Sequence, residues 1–192
     1  IVTIKTKGDR IQNVSFDKIE GKGFFTKELE EALLSGTIDM AVHSMKDLPT
    51  DDTPGLTIAA VTKREDPSDV IIIRPEAYRA NHWFPLKENT KVGTSSLRRV
   101  AQLKRILSSA EAMPLRGNVP TRIRRLREAK FDAIILAKAG LKRLGVDLSG
   151  FYSMVLPFSY FLPSPGQGAL AIQVRSYDKT AIEAVTHLHD EA

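Results

Sequence analysis

The chain contains no cysteine, which excludes disulfides, thiolate metal sites and thiol nucleophiles from these 192 residues. No apolar run approaches the ~20 residues needed to span a bilayer. The opening stretch, IVTIKTKGDR, has neither a signal-peptide core nor an amphipathic Arg- and Ser-rich presequence. A cytoplasmic protein without membrane contact is therefore expected. Internal repeats and low-complexity tracts are also missing, and no metal site is expected. What is present is 42% hydrophobic residues, enough for proper cores in one large or two small domains.

Charge is unevenly spread. Lys91 to Arg143 holds 14 basic and 3 acidic residues, a surplus of 11 positive charges, whereas the whole chain nets +5, so the remainder is acidic. Such asymmetry points to an anionic partner for the basic segment: nucleic acid, a membrane surface or a polycarboxylate. The segment is nearly bare of aromatics that would stack bases, which argues against nucleic acid. A solute-binding receptor is the other alternative, and it would be expected to carry a secretion signal.

Strand-length apolar runs alternate with helical periodicity, the βαβα pattern of a wound sheet. Strands are expected at VTIKT, IDMAVHS, LTIAAV, DVIIIR, MPLR, DAIILA and ALAIQV, and helices at FTKELEEALLSG, SSLRRVAQLKRIL, NVPTRIRRLREAK, AGLKRLG and DKTAIEAVTHLH. Gly36 reads as a C-cap, and Asn118 with Pro120 as a helix start. Polar TKREDPSD (62–69) and Pro- and Gly-rich LPFSYFLPSPGQG (156–168) read as two crossings between lobes. Lobe 1 is then residues 1–64 with 164–192, and lobe 2 residues 65–163. Two α/β lobes joined by two crossings imply a hinge and a cleft in which ligands bind.

Three stretches carry chemistry. In IDMAVHSMKDLPT, Lys46 and Asp47 fall just past a strand's carboxyl end, where open α/β sheets bind ligands. A carboxylate there suits general acid/base work or stabilising a developing cation, and the plain alternative is a surface ion pair. His43 reads as a structural, hydrogen-bonded residue. In GKGFFTKELE, Gly21 and Gly23 flank Lys22 without a nucleotide-loop spacing. Lys18, Lys22 and Phe25 read as a loop covering a cleft, or else as a linker anchored by Phe24 and Phe25. In VGTSSLRR and LRGNVPTR, Arg98, Arg99 and Arg116 sit at strand-to-helix junctions. Helix starts carry partial positive charge and disfavour cations, so arginines there, with Thr94, Ser95 and Ser96, suggest an anion clamp. Arg122 extends that charge, Arg143 adds a third cationic edge after DAIILA, and Gln167 lies between two glycines at the second crossing.

In order, GKGFFTKELE, VHSMKDLPT, KREDPSD, VGTSSLRR, LRGNVPTR, DAIILAKAGLKRLG and PGQGALAI resemble the hydroxymethylbilane synthase (porphobilinogen deaminase) family across nearly the whole chain. The resemblance implies two lobes of the type II periplasmic-binding-protein kind plus a third domain. It implies stepwise condensation of four porphobilinogens into a linear tetrapyrrole, with loss of ammonia, in heme biosynthesis. Asp47 matches the catalytic aspartate, and Lys46 a carboxylate-binding lysine. Arg98, Arg99, Arg116, Arg122 and Arg143 match arginines for acetate and propionate groups, with Thr94, Ser95 and Ser96 as further donors. Lys18, Lys22 and Phe25 match the mobile loop, and Gln167 a hinge residue near the cofactor. The implied cofactor is dipyrromethane, held through a cysteine this sequence does not contain. The implied partners are porphobilinogen and linear pyrrole intermediates, with no nucleic acid and a monomeric state. The family's first strand and cofactor-attachment domain are expected outside this sequence, and the 192 residues alone are expected to be inactive.

Overall fold

The computed structural model describes residues 1–4, 6 and 26–191, which divide into two compact units. One comprises Ile1–Glu65 with Pro165–Ala192, and the other Asp66–Ser164. Helices and strands are numbered in chain order.

The first unit holds a three-stranded antiparallel sheet among the described residues, in which β8 (Leu170–Arg175) lies between β1 (Met40–Ser44) and β2 (Leu56–Val61). One face receives α1 (Lys27–Leu34) through Leu29 and Leu33 against Ala41 and Leu56. The other receives α5 (Lys179–Thr186), whose Ala181 and Val185 cover Ala60, Ile172 and Val174. α1 stops because Gly36 takes φ +72°. That conformation lets the Gly36 N–H reach the Leu33 carbonyl at 3.0 Å and the Thr37 N–H the Ala32 carbonyl at 2.9 Å, satisfying two otherwise orphaned acceptors. Arg175, at the end of β8, ties the unit together. It donates to the Leu33 and Ile38 carbonyls (3.1 and 2.7 Å) and to the carboxylates of Asp39 and Asp178 (2.8 and 2.7 Å).

The second unit is a five-stranded mixed sheet in the order β5-β4-β6-β3-β7. β4 (Lys91–Gly93) runs parallel to β5 (Glu111–Met113) and β6 (Ala133–Ala137), and β3 (Asp69–Ile73) runs antiparallel to β6 and to β7 (Tyr152–Val155). Both faces of the central strands are covered, which is why β3 and β6 are nearly continuous apolar runs. Ile71, Ile73 and Ile135 meet Leu103 of α2 (Leu97–Ile106). Val70, Ile72, Ile134 and Leu136 meet Ile123 and Leu126 of α3 (Val119–Arg127) and Leu141 of α4 (Lys138–Arg143). Each such fully buried aliphatic side chain contributes about 1.5–3 kcal/mol relative to exposure.

The expected wound α/β architecture holds, with differences that have physical reasons. The run MPLR is displaced: β5 ends at Met113, because Pro114 has no N–H to give a ladder. β7 was not expected, being an edge strand whose residues are mostly exposed and carry no strong alternation. Of VTIKT, the described positions 2–4 and 6 form no strand. No helix among the described residues is long and apolar enough to cross a membrane.

Candidate functional site

In the second unit, the carboxyl ends of β4, β5 and β6 and the amino end of the antiparallel β3 all lie along one edge of the sheet. That edge gathers most of the arginines and hydroxyls singled out in the sequence. After β4, the backbone turns at Thr94–Ser96, whose geometry is fixed internally. The Thr94 N–H donates to the Met113 carbonyl at 2.8 Å, and the Thr94 hydroxyl accepts from the Ser96 N–H at 3.3 Å. The Ser95 hydroxyl donates to the Leu115 carbonyl (3.1 Å) and accepts from the Leu115 N–H (3.0 Å), so it joins the ends of β4 and β5. Ser96 is the N-cap of α2, yet its side chain accepts no capping hydrogen bond.

The arginines in the first turn of α2 do meet an anion, and it is one the chain supplies. Asp69, fully buried at the start of β3, accepts a hydrogen bond from Arg99 Nη2 on Oδ1 at 2.7 Å and forms an ion pair with Arg98, whose Nη1 lies 2.8 Å from Oδ2. Arg99 also donates from Nη1 to the Ile135 carbonyl at 2.9 Å, and its side chain is buried. Arg98 is partly exposed, and its Nη1 also contacts the Leu162 carbonyl. Gln102, one turn further along α2, clasps the same residue: its amide donates to the Leu162 carbonyl at 3.1 Å and accepts from the Leu162 N–H at 2.6 Å.

After β5, Arg116 is buried, and its carbonyl accepts a long 3.4 Å bond from Arg125. Asn118 caps α3 by accepting from the Thr121 N–H at 2.9 Å, and half-buried Arg122 donates to the Gly117 carbonyl at 2.6 Å. After β6, the cation at the junction itself is Lys138, which ion-pairs with Asp66 at 2.7 Å. Arg143 is exposed in the last turn of the six-residue α4, at the end away from that junction. Asp66 also accepts from the Ser68 N–H at 2.9 Å, and these two partners, Lys138 foremost, hold its carboxyl down to about 2.

In the first unit, β1 runs into a single 3-10 turn, Met45–Asp47, anchored by the Met45 N–H on the Ala169 carbonyl at 3.1 Å. Lys46 Nζ donates to the side-chain oxygen of buried Gln167 at 3.3 Å, so these two expected site residues are together. Asp47 is exposed and has no hydrogen-bond or ion-pair partner among the described residues. The Gln167 carbonyl accepts from Arg64 at 3.0 Å, and the Glu65 N–H donates to the Gly168 carbonyl at 3.1 Å, which draws the two chain crossings together. The approach is so close that a Cβ on Gly168 would lie 2.2 Å from the Glu65 carbonyl oxygen. His43 is buried on the α1 face and bonded to Gln173 at 3.1 Å, and burial lowers its pKa despite that bond. Lys18, Lys22 and Phe25 lie outside the described residues.

Asp69, Asp66, Lys138, Gln102 and Arg64 were not singled out from the sequence. The signal for Asp69 was there: a carboxylate opening a strand that is apolar throughout and buried on both faces must have a cationic partner.

The family model described as "Porphobilinogen deaminase, dipyromethane cofactor binding domain" matches residues 1–183. A curated relative named porphobilinogen deaminase from Carboxydothermus hydrogenoformans is 50% identical over 183 residues, covering 95% of this chain and 57% of the relative. Those from Syntrophomonas wolfei and Nitrosomonas europaea are 47% and 49% identical, each covering 100% of this chain and 60% of the relative. The chain thus spans under two thirds of the length of these proteins. Among solved structures, an ABC transporter periplasmic binding protein from Brucella ovis, with glutathione bound, is 16% identical. It aligns with a TM-score of 0.50 over 83% of this chain and 50% of that one, a likeness of fold alone.

Proposed function

The chain belongs to the porphobilinogen deaminase family, and from that premise we propose that the protein is a hydroxymethylbilane synthase, a transferase condensing four porphobilinogens into a linear tetrapyrrole. In each condensation a carbon–carbon bond forms between an aminomethyl carbon and a pyrrole α-carbon, the carbon–nitrogen bond breaks with release of ammonia, and the α-carbon loses its proton. The observation that carries this reading is Asp47: an exposed carboxylate without a partner among the described residues, at the carboxyl end of a strand, beside a tethered lysine. There it is available to stabilise the cationic carbon left by departing ammonia and to handle the pyrrole proton. Lys46, oriented by Gln167, would hold a substrate acid group. Arg98, Arg116, Arg122 and Arg143, with Ser96, offer guanidinium and hydroxyl donors for acetate and propionate groups, while Thr94, Ser95 and Arg99 act by holding that edge in shape.

The donor set fits a dipyrromethane, whose acid groups match guanidinium forks in chemistry. Arg98, Arg116 and Arg122 would hold it, while these 192 residues offer no cysteine to attach it. When bound, the group supplies the pyrrole end on which the chain grows. The same reading makes the protein a cytoplasmic monomer that works on porphobilinogen and pyrrole intermediates and binds no nucleic acid. Asp47→Ala in the full-length protein should abolish ammonia release from porphobilinogen while leaving binding of a pyrrole carboxylate within a few-fold. Near-normal release by that variant would refute the assignment.

A further inference from the structure

We infer that Asp69 is a positioning residue that limits the Arg98–Arg99 pair to docking one carboxylate and presents Arg98 for it. The inference rests on the function proposed above. Two adjacent arginines look like a clamp for two acid groups, but their environments differ. Arg99 has 7% of its side chain exposed; its two terminal nitrogens go to Asp69 and the Ile135 carbonyl, and its Nε, without a hydrogen-bond partner among the described residues, is buried. Arg98 is 24% exposed, and only its Nη1 is taken, by Asp69 and the Leu162 carbonyl. Its remaining three N–H groups, on Nη2 and Nε, have no partner among the described residues, and that edge of a guanidinium is a ready bidentate fork for a carboxylate. The charge count agrees: two guanidinium groups and one buried carboxylate leave a single net positive charge for a ligand.

Asp69 itself, with no side-chain exposure, cannot reach a substrate. What it does is pin one arm of a long, flexible side chain, so that the fork is oriented before a ligand arrives and less rotamer freedom is lost on binding. Gln102 supports this by fixing the Leu162 backbone, the second contact on that arm.

A carboxylate that only competed with the ligand and one that positions Arg98 have opposite consequences. Removing a competing negative charge tightens anion binding, whereas removing an orienting partner weakens it. The test is calorimetric titration of the full-length, cofactor-free protein with a synthetic dipyrromethane bearing acetate and propionate groups. Asp69→Asn should raise Kd about tenfold, on the scale of losing a preorganised charge-assisted contact, although the site gains positive charge. In an Arg98→Ala background the same substitution should add no further loss, because Asp69 acts through Arg98. If Asp69→Asn does not fold, Asp69→Leu combined with Arg99→Met replaces the buried pair with apolar groups, a type of exchange that folds are known to accept. That variant should show the same tenfold weakening. Unchanged or tighter binding in either variant, or an additive loss in the Arg98→Ala background, overturns the inference and leaves the proposed function standing. No saturable binding by the unsubstituted protein overturns both.

Discussion

Replacing Gly168 by alanine tests how tightly the two chain crossings are pressed together. The residue has φ +97°, a conformation that costs a side-chain-bearing residue about 1–3 kcal/mol. The new Cβ would fall 2.2 Å from the Glu65 carbonyl oxygen and 3.1 Å from its carbon, both backbone atoms that cannot rotate away. Relief requires the crossings to part, which sacrifices the 3.1 Å bond from the Glu65 N–H to the Gly168 carbonyl, worth about 1 kcal/mol. The combined loss is about 3 kcal/mol. Gly36→Ala is the matched control, since φ is +72° but nothing lies within 4 Å of its Cβ, so only the conformational cost of about 1 kcal/mol remains. Both glycines belong to the same unit, so differential scanning calorimetry reads them in one transition. At about 2–4 °C per kcal/mol for a protein of this size, Gly168→Ala should lower Tm by about 6–12 °C and Gly36→Ala by about 2–4 °C. Equal shifts for the two would refute the crossing contact.

Two further outcomes concern titration. Burial lowers the His43 pKa, so the folded state resists the proton that the unfolded state accepts near pH 6.5. The contribution of a neutral His43 is therefore complete above that pH and lost progressively below it. Tm of the protein should fall as pH drops from 7 to 5, and His43→Gln should flatten that dependence; an unaltered slope would show that His43 is not responsible. Asp66, held at about 2 mainly by Lys138, stabilises the fold above its ordinary value near 3.8, and that contribution disappears as pH falls from 4 towards 2. In Lys138→Met the Asp66 carboxyl, followed by NMR, should titrate closer to 3.8. A midpoint still near 2 would mean that Ser68 alone holds it.

The parts of the fold that could be read in advance are those governed by local rules. Asn118 and Pro120 marked the start of α3 because capping and fixed proline geometry act within one turn, and Gly36 marked the end of α1 for the same reason. The runs DVIIIR and DAIILA were legible as strands because burial on both faces selects apolar residues, with Asp69 tolerated only through its arginine partners. β7 was not legible, since an exposed edge strand imposes no such pattern. Nor was the direction of β3, which is decided by pairing with β6 across the sheet. In the candidate site, the arginines were conspicuous because they sit at a helix end that disfavours cations. The identity of their anion was hidden, because Asp69 meets Arg98 and Arg99 only through the sheet order. The hydroxyls of Thr94 and Ser95 were expected to face a ligand, and in the structure they bond the backbone.

The position of β8 has a consequence for how the protein is made. β1 and β2 are synthesised early but do not pair with each other, because the strand that joins them is β8, at residues 170–175. The Asp66–Ser164 unit is contiguous and can fold as it leaves the ribosome, whereas the sheet of the other unit stays open until more than a hundred further residues have been added. For that interval β1 and β2 lack β8, the one strand that pairs with either among the described residues, so nascent chains are at risk of aggregating on these two strands until β8 arrives.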